Sequence, residues 1–109
     1  MPDPVNDWYL YLLRTRNGAL YTGIAKDVAR RVTQHSAGAG AKSLRAKGPL
    51  TLVYQVPIGH HGHALRAELA VKKLPKVRKE ALVAAQPDGP GLCMSLGLPI
   101  DVAPFAISE

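Results

Sequence analysis

Arg31 and His35 stand four residues apart, so on a helix they share one face. A guanidinium forks two hydrogen bonds to a phosphate. An imidazole at a helix end can orient an anion, relay a proton or cap the last turn. Glu68 has Ala64, Leu65 and Val71 at helical spacing, which turns its carboxylate toward apolar neighbours. Such a carboxylate needs a partner, because burying it unpaired costs several kcal/mol or forces protonation. The partner is either a base such as Arg66 or Lys72, or a hard divalent cation. Tyr11 and Tyr21 lie in two apolar runs. They are ordinary strand aromatics unless nearby cations pull the phenol pKa below its usual value of about 10. A base for water, a cation for the phosphate and help for the leaving oxygen are what cleavage of a phosphodiester demands.

The elements that must position these groups are legible along the chain. Trp8 to Thr15 (WYLYLLRT) reads as a strand, Arg16-Asn17-Gly18 as a turn and Ala19 to Gly23 as a second strand. Asp27 caps a helix running to about His35. Ser36 to Gly40 is a break, and Ala41 to Lys47 suits a short helix ended by Gly48-Pro49. Thr51 to Ile58 is a third strand that Pro57 stops or places at an edge. Gly59-His60-His61-Gly62 reads as a loop, followed by helices over His63 to Leu74 and Lys76 to Ala85. The order β-β-α-(α)-β-α-α predicts an α+β fold, a small, mainly antiparallel three-stranded sheet flanked by helices. It forms one domain over residues 8–85. Residues 86–109 are proline-containing and aperiodic and are expected to be a loosely packed or disordered tail.

The turn decides whether the two tyrosines can meet. A two-residue Asn17-Gly18 turn would set Tyr21 opposite Arg14, on the face away from Tyr11. A three-residue loop, with Gly18 left-handed after a type I turn, sets Tyr21 opposite Leu13 and Tyr11 opposite Gly23, all on one face. The three-residue form is expected, with Gly23 leaving space for a phosphate.

Charge points to the partner. The chain carries +6, and all 14 of its lysines and arginines fall between Arg14 and Lys79. Against them residues 8–85 hold only Asp27, Glu68 and Glu80, a net +11. A compact unit so charged attracts polyanions, nucleic acid first. Arg30, Lys42, Arg45, Lys47, Lys72 and Lys73, with Lys76, Arg78 and Lys79, are candidates for backbone phosphate contacts. No apolar run approaches the length of a membrane span, and no basic amphipathic stretch favours a membrane surface. The start of the chain has no secretory pattern. The one cysteine, Cys93, excludes an internal disulfide and suits a cytoplasmic setting. His60, His61 and His63 have a loose spacing for a transition metal.

Tyr9-Leu10-Tyr11, nine residues, and then Tyr21-Thr22-Gly23 resemble the two half-motifs of the GIY-YIG nuclease family. Arg31, His35 and Glu68 follow in the order in which that family has its arginine, histidine and metal-binding glutamate. The resemblance covers roughly residues 8–83 and is to the small stand-alone group within the family. It implies a metal-dependent endonuclease that hydrolyses phosphodiester bonds, DNA before RNA. It implies Tyr11 as general base, Tyr21 orienting the water, Arg31 stabilising phosphate charge, His35 in the site and Glu68 holding one Mg²⁺ (or Mn²⁺). Tyr9 replaces the first glycine of the motif, Thr22 an isoleucine, and the family's late asparagine has no counterpart, since the chain has only Asn6 and Asn17. Two other readings are a nucleic-acid-binding module that keeps the fold without turnover, and a scaffold whose basic face docks an acidic protein. So small a domain has no obvious specificity module, and a protein partner would supply targeting.

Overall fold

A computed structural model of the chain describes residues 7–38 and 48–98. Three strands, β1 (Trp8–Arg14), β2 (Leu20–Ala25) and β3 (Thr51–Gly59), form one antiparallel sheet in the order β2-β1-β3. Four helices complete it: α1 (Val28–Ser36), α2 (His61–Lys72), α3 (Lys76–Ala85) and α4 (Gly89–Leu96). The chain is therefore α+β with a small antiparallel sheet flanked by helices. The expected helix over 41–47 lies outside the described residues.

The central strand explains the layering. Leu10, Tyr11, Leu12 and Leu13 are all buried, so both faces of β1 are covered, as its unbroken apolar run requires. Side chains alternate across a strand. Leu10 and Leu12 pack with Tyr54, Val56 and Ile58 of β3 and with Ala64, Ala67 and Val71 of α2. Tyr11 and Leu13 pack with Ala25 and Val28 on the α1 face.

The hairpin has the three-residue form. The Thr15 amide donates to Ala19 O (2.9 Å), the Gly18 amide donates to Thr15 O (2.9 Å), and Gly18 sits at φ +90°. Tyr11 accordingly pairs with Gly23, and Leu13 with Tyr21. Two contacts from α3 hold the turn. Arg14 donates to both oxygens of Glu80 at 2.7 Å, and Lys76 Nζ donates to Gly18 O at 2.5 Å. The hydrogen bonds from Arg14 also keep the Glu80 carboxyl below its usual range.

Two expectations need correction. Helix α2 starts at His61 rather than His63, because the His60 ring accepts the His63 amide (3.2 Å) and supplies the cap. The segment after Gln86 is not a loose tail throughout. Asp88 accepts the Gly91 amide at 2.8 Å and caps α4. Leu92 and Cys93 are buried, and Tyr54 donates to Pro87 O at 2.6 Å. Residues 89–96 thus complete the core on the α2 face. We expect Leu92→Ala to destabilise the domain by about 2–5 kcal/mol, read as a lower midpoint in urea or heat. An unchanged midpoint would return the segment to a dispensable tail.

Candidate active site

Helix α1 is built to present its last turn. Asp27 Oδ1 accepts the Arg30 amide at 3.0 Å and starts the helix. Val28 anchors it on the sheet, and Arg31 and His35 follow on one face. His35 is only 2% exposed, which is unusual for a histidine. Its Nε2 lies 2.9 Å from Tyr11 Oη. Tyr21 closes the group, with its ring centroid 5.4 Å from that of His35, edge-on, and 6.4 Å from that of Tyr11. The hairpin register and the helix therefore bring Tyr11, Tyr21 and His35 together.

Burial sets the charge state of this group. It pushes the Tyr11 phenol up to about 12, with the nearby Tyr21 adding and the charge and hydrogen bonding of Arg31 opposing. The His35 imidazole is pulled below 6.5, first by burial and then by the Arg31 charge. Both partners of the 2.9 Å hydrogen bond are thus neutral at pH 7. Arg31 is half-buried and donates to Gln34 Oε1 at 2.9 Å. Arg30 is exposed.

Gly23 has a role other than the expected one. A Cβ built on it would lie 2.5 Å from both Cζ and Oη of Tyr11. The space opposite Tyr11 is filled by that residue's own phenol and is not left open for a phosphate. The neighbouring Thr22, where the motif has isoleucine, is buried across from Leu12. Its hydroxyl has no hydrogen-bond partner among the described residues.

Glu68 comes from α2, which packs against β2 and β1. Its side chain is 16% exposed and lies 3.4 Å from Lys72 Nζ. Of the expected apolar neighbours, Ala64 and Val71 are buried but Leu65 is 41% exposed, so Glu68 stands at the rim of the core. Its charge reaches Tyr11, raising the phenol pKa. The donor set suits one hard cation. Asp27 is committed to the α1 cap and Glu80 to Arg14, whereas among the described residues Glu68 has only Lys72 at salt-bridge distance. Among the described residues no three His, Cys, Asp or Glu side chains converge, so water and phosphate oxygens would have to complete the shell. His60, His61 and His63 diverge: His60 caps α2, His61 stacks on Trp8 at 4.2 Å, and His63 Nε2 meets Cys93 Sγ at 3.3 Å. Lys73 is exposed, while Lys42, Arg45 and Lys47 lie outside the described residues. The Arg14–Glu80 pair and the His63–Cys93 contact have no signature in the sequence, because their partners are 66 and 30 residues apart.

Residues 7–80 match the model of a family described as GIY-YIG catalytic domain. The chain is 58% identical over 79 residues to the UPF0213 protein SG0387 of Sodalis glossinidius, covering 72% of this chain and 74% of that one. It is 59% identical over 80 residues to a UPF0213 protein of Yersinia pestis, covering 73% and 84%. Among solved structures, the UPF0213 protein BH0048 of Bacillus halodurans is 34% identical, covering 85% of this chain and 99% of that one, with a TM-score of 0.49.

The contact at Gly23 makes a sharp expectation. Gly23→Ala must displace the Tyr11 ring or bend β2, at a cost of about 1–3 kcal/mol typical of overpacking. The His35 ring resonances, followed by NMR, should shift as the Tyr11 hydrogen bond is lost. A variant with wild-type stability and unmoved His35 resonances would contradict the packing described.

Proposed function

The chain belongs to the GIY-YIG catalytic domain family, and from that premise we propose that it is a metal-dependent endonuclease acting on nucleic acid, DNA in preference to RNA. The observation that carries the reading is the 2.9 Å hydrogen bond between Tyr11 and His35, made beside Tyr21 and Arg31. A phenol held at about 12 is a poor base by itself. A neutral imidazole on its hydroxyl gives the proton a destination. Tyr11 donates to His35 Nε2. As water attacks phosphorus, it loses a proton to the Tyr11 oxygen while the proton of Tyr11 passes to His35. The P–O bond to the leaving strand breaks, and the proton ends on His35. Tyr21, half-buried beside the pair, orients the water.

Arg31 holds a non-bridging phosphate oxygen, with a guanidinium already fixed by Gln34. Glu68 is the residue that would hold one Mg²⁺ or Mn²⁺ ion. When bound, that ion supplies positive charge to the phosphate and the leaving oxygen. Arg30 and Lys73 contribute sequence-independent affinity, as do Lys42, Arg45 and Lys47, while Lys72 divides its charge between Glu68 and the phosphate backbone.

Tyr11→Phe, Arg31→Ala and Glu68→Ala should each lower the cleavage rate by about 10²–10⁴-fold. Binding of the same DNA in EDTA should stay close to wild type for Tyr11→Phe and Glu68→Ala and weaken for Arg31→Ala. All three variants should remain folded, with Tyr11→Phe losing about 1–3 kcal/mol of stability with its buried hydrogen bond. Cutting that survives Arg31→Ala and Glu68→Ala would refute the mechanism. Salt-sensitive binding with no cutting of any single-stranded, duplex or branched substrate would establish the non-catalytic reading instead.

The pH profile has a definite sign. Protonated His35 cannot accept from Tyr11, so kcat/KM should fall as pH drops through the His35 pKa, which lies below 6.5. It should be level above that value. A limb centred at 7 or higher, or one that persists in His35→Gln, would remove His35 from the proton's path.

A further inference from the structure

A cleft of about 590 Å³ opens on the α1 face of the sheet, lined by Tyr9, Leu52 and Gln55 from the strands and by Lys26 to Ala29 at the start of α1. Its size lies within the roughly 300–1,000 Å³ of small-ligand sites. We propose that this cleft receives one base of the substrate strand, unstacked from its neighbours, next to the phosphate that is cut. The proposal rests on Tyr11 as the group that activates water, and it adds a specificity site to that reading.

Position argues for a flanking nucleotide. Tyr9 and Tyr11 are alternate residues of β1, so they project from the same face roughly 6.5 Å apart. Gln55 is the direct cross-strand partner of Tyr11, on the same face. The cleft therefore adjoins the strand position of Tyr11 on its β3 side. Nucleotides follow one another at about 3.4 Å when stacked and farther apart when unstacked, so an unstacked base in the cleft belongs to a nucleotide beside a phosphate at Tyr11.

Chemistry argues for a base. Tyr9 and Leu52 are half-buried against the Tyr11 side of the core and offer a flat ring and an apolar floor, the surface on which bases stack. Gln55 is exposed, and its side-chain amide makes no hydrogen bond among the described residues. An amide carries both donor and acceptor and can pair with a base edge. Lys26 is exposed and unpaired among the described residues, which suits the phosphate attached to that nucleotide. Asp27 Oδ1 is taken by the α1 cap. A purely aliphatic ligand would use neither the amide nor the lysine.

The test is an abasic walk. A 5′-labelled oligonucleotide that the protein cuts at one place is remade with a single abasic site at each position in turn. The kcat/KM is measured with Mg²⁺ and the affinity by anisotropy in EDTA. Wild type should lose roughly 5- to 100-fold at one position beside the cut, the size of one base–aromatic stack. Tyr9→Ala should show that loss on the intact oligonucleotide and become indifferent to the abasic site there. Tyr9→Phe should behave as wild type. Gln55→Ala, at an exposed position that does not threaten folding, should flatten the preference among the four bases at that position. Equal cutting at every abasic position, or a Tyr9→Ala protein that folds and keeps the wild-type sensitivity, overturns the proposal. If no oligonucleotide is cut, the nuclease reading fails by itself. The affinity arm then decides the cleft separately: a position-specific, Tyr9-dependent loss of binding supports it, and a flat profile overturns it.

Discussion

The Tyr11 phenol crosses the backbone of Gly23 to reach His35, and the rest of the site is arranged around that crossing. It needs the two residues to be directly opposed, which the hairpin register provides. The register depends in turn on the bulge at Gly18, whose φ of +90° costs a glycine little. A slip of one residue would turn every side chain of β2 to the other face. Tyr21 would leave the cluster, and a side chain would stand where the phenol passes. One left-handed glycine and one glycine without a Cβ thus set the position of three aromatic rings.

The hairpin could not hold this arrangement alone, because a two-stranded ribbon is at best marginally stable in water. Helices on both faces of β1 enclose it, and α3 grips the turn through Arg14–Glu80 and through Lys76 on the Gly18 carbonyl. This changes how the basic surface is read. Lys76 and Arg14 belong to the fold, and Lys72 is shared with Glu68. The charge left for a polyanion is carried by residues such as Lys26, Arg30 and Lys73, which are exposed and make no ion pair among the described residues.

Local chemistry was legible in the sequence, and distant packing was not. The strands, the capped α1 and the hairpin register all follow from residues within a few positions of one another, such as Asp27 with Arg30 or Asn17-Gly18 with its flanking runs. Where the reading failed, a long-range partner was responsible. Helix α4 has eight residues, three of them Gly or Pro. It is stabilised by the burial of Leu92 and Cys93 and by the contact of Tyr54 with Pro87, none of which periodicity over so short a span can reveal. Gly23 marks a close approach in the sequence, but what approaches is the ring of a residue twelve positions earlier, which its missing side chain admits. Glu68 was placed on the core side of its helix, and the structure puts it at the rim, where it pairs with Lys72 and still acts on Tyr11.

That position at the rim bears on how the proposed proton transfer is balanced. As the proton passes from Tyr11 to His35 and that of water replaces it, phenolate character builds on Tyr11 and an imidazolium forms, and burial opposes both. Arg31 stabilises the phenolate and disfavours the imidazolium, so its two effects offset. Glu68 acts on Tyr11 in the unfavourable direction. Glu68 would lose that opposition if it held a cation, which would lower the cost of the phenolate. A phosphate on Arg31 would screen the guanidinium from both rings, withdrawing support from the phenolate as much as it favours His35 as acceptor, and so would leave that balance unchanged. In the proposed mechanism the pair would stay neutral until a cation is in place at Glu68. Burial keeps the pair from ionising by itself, and a cation at Glu68 is the charge that would relieve it.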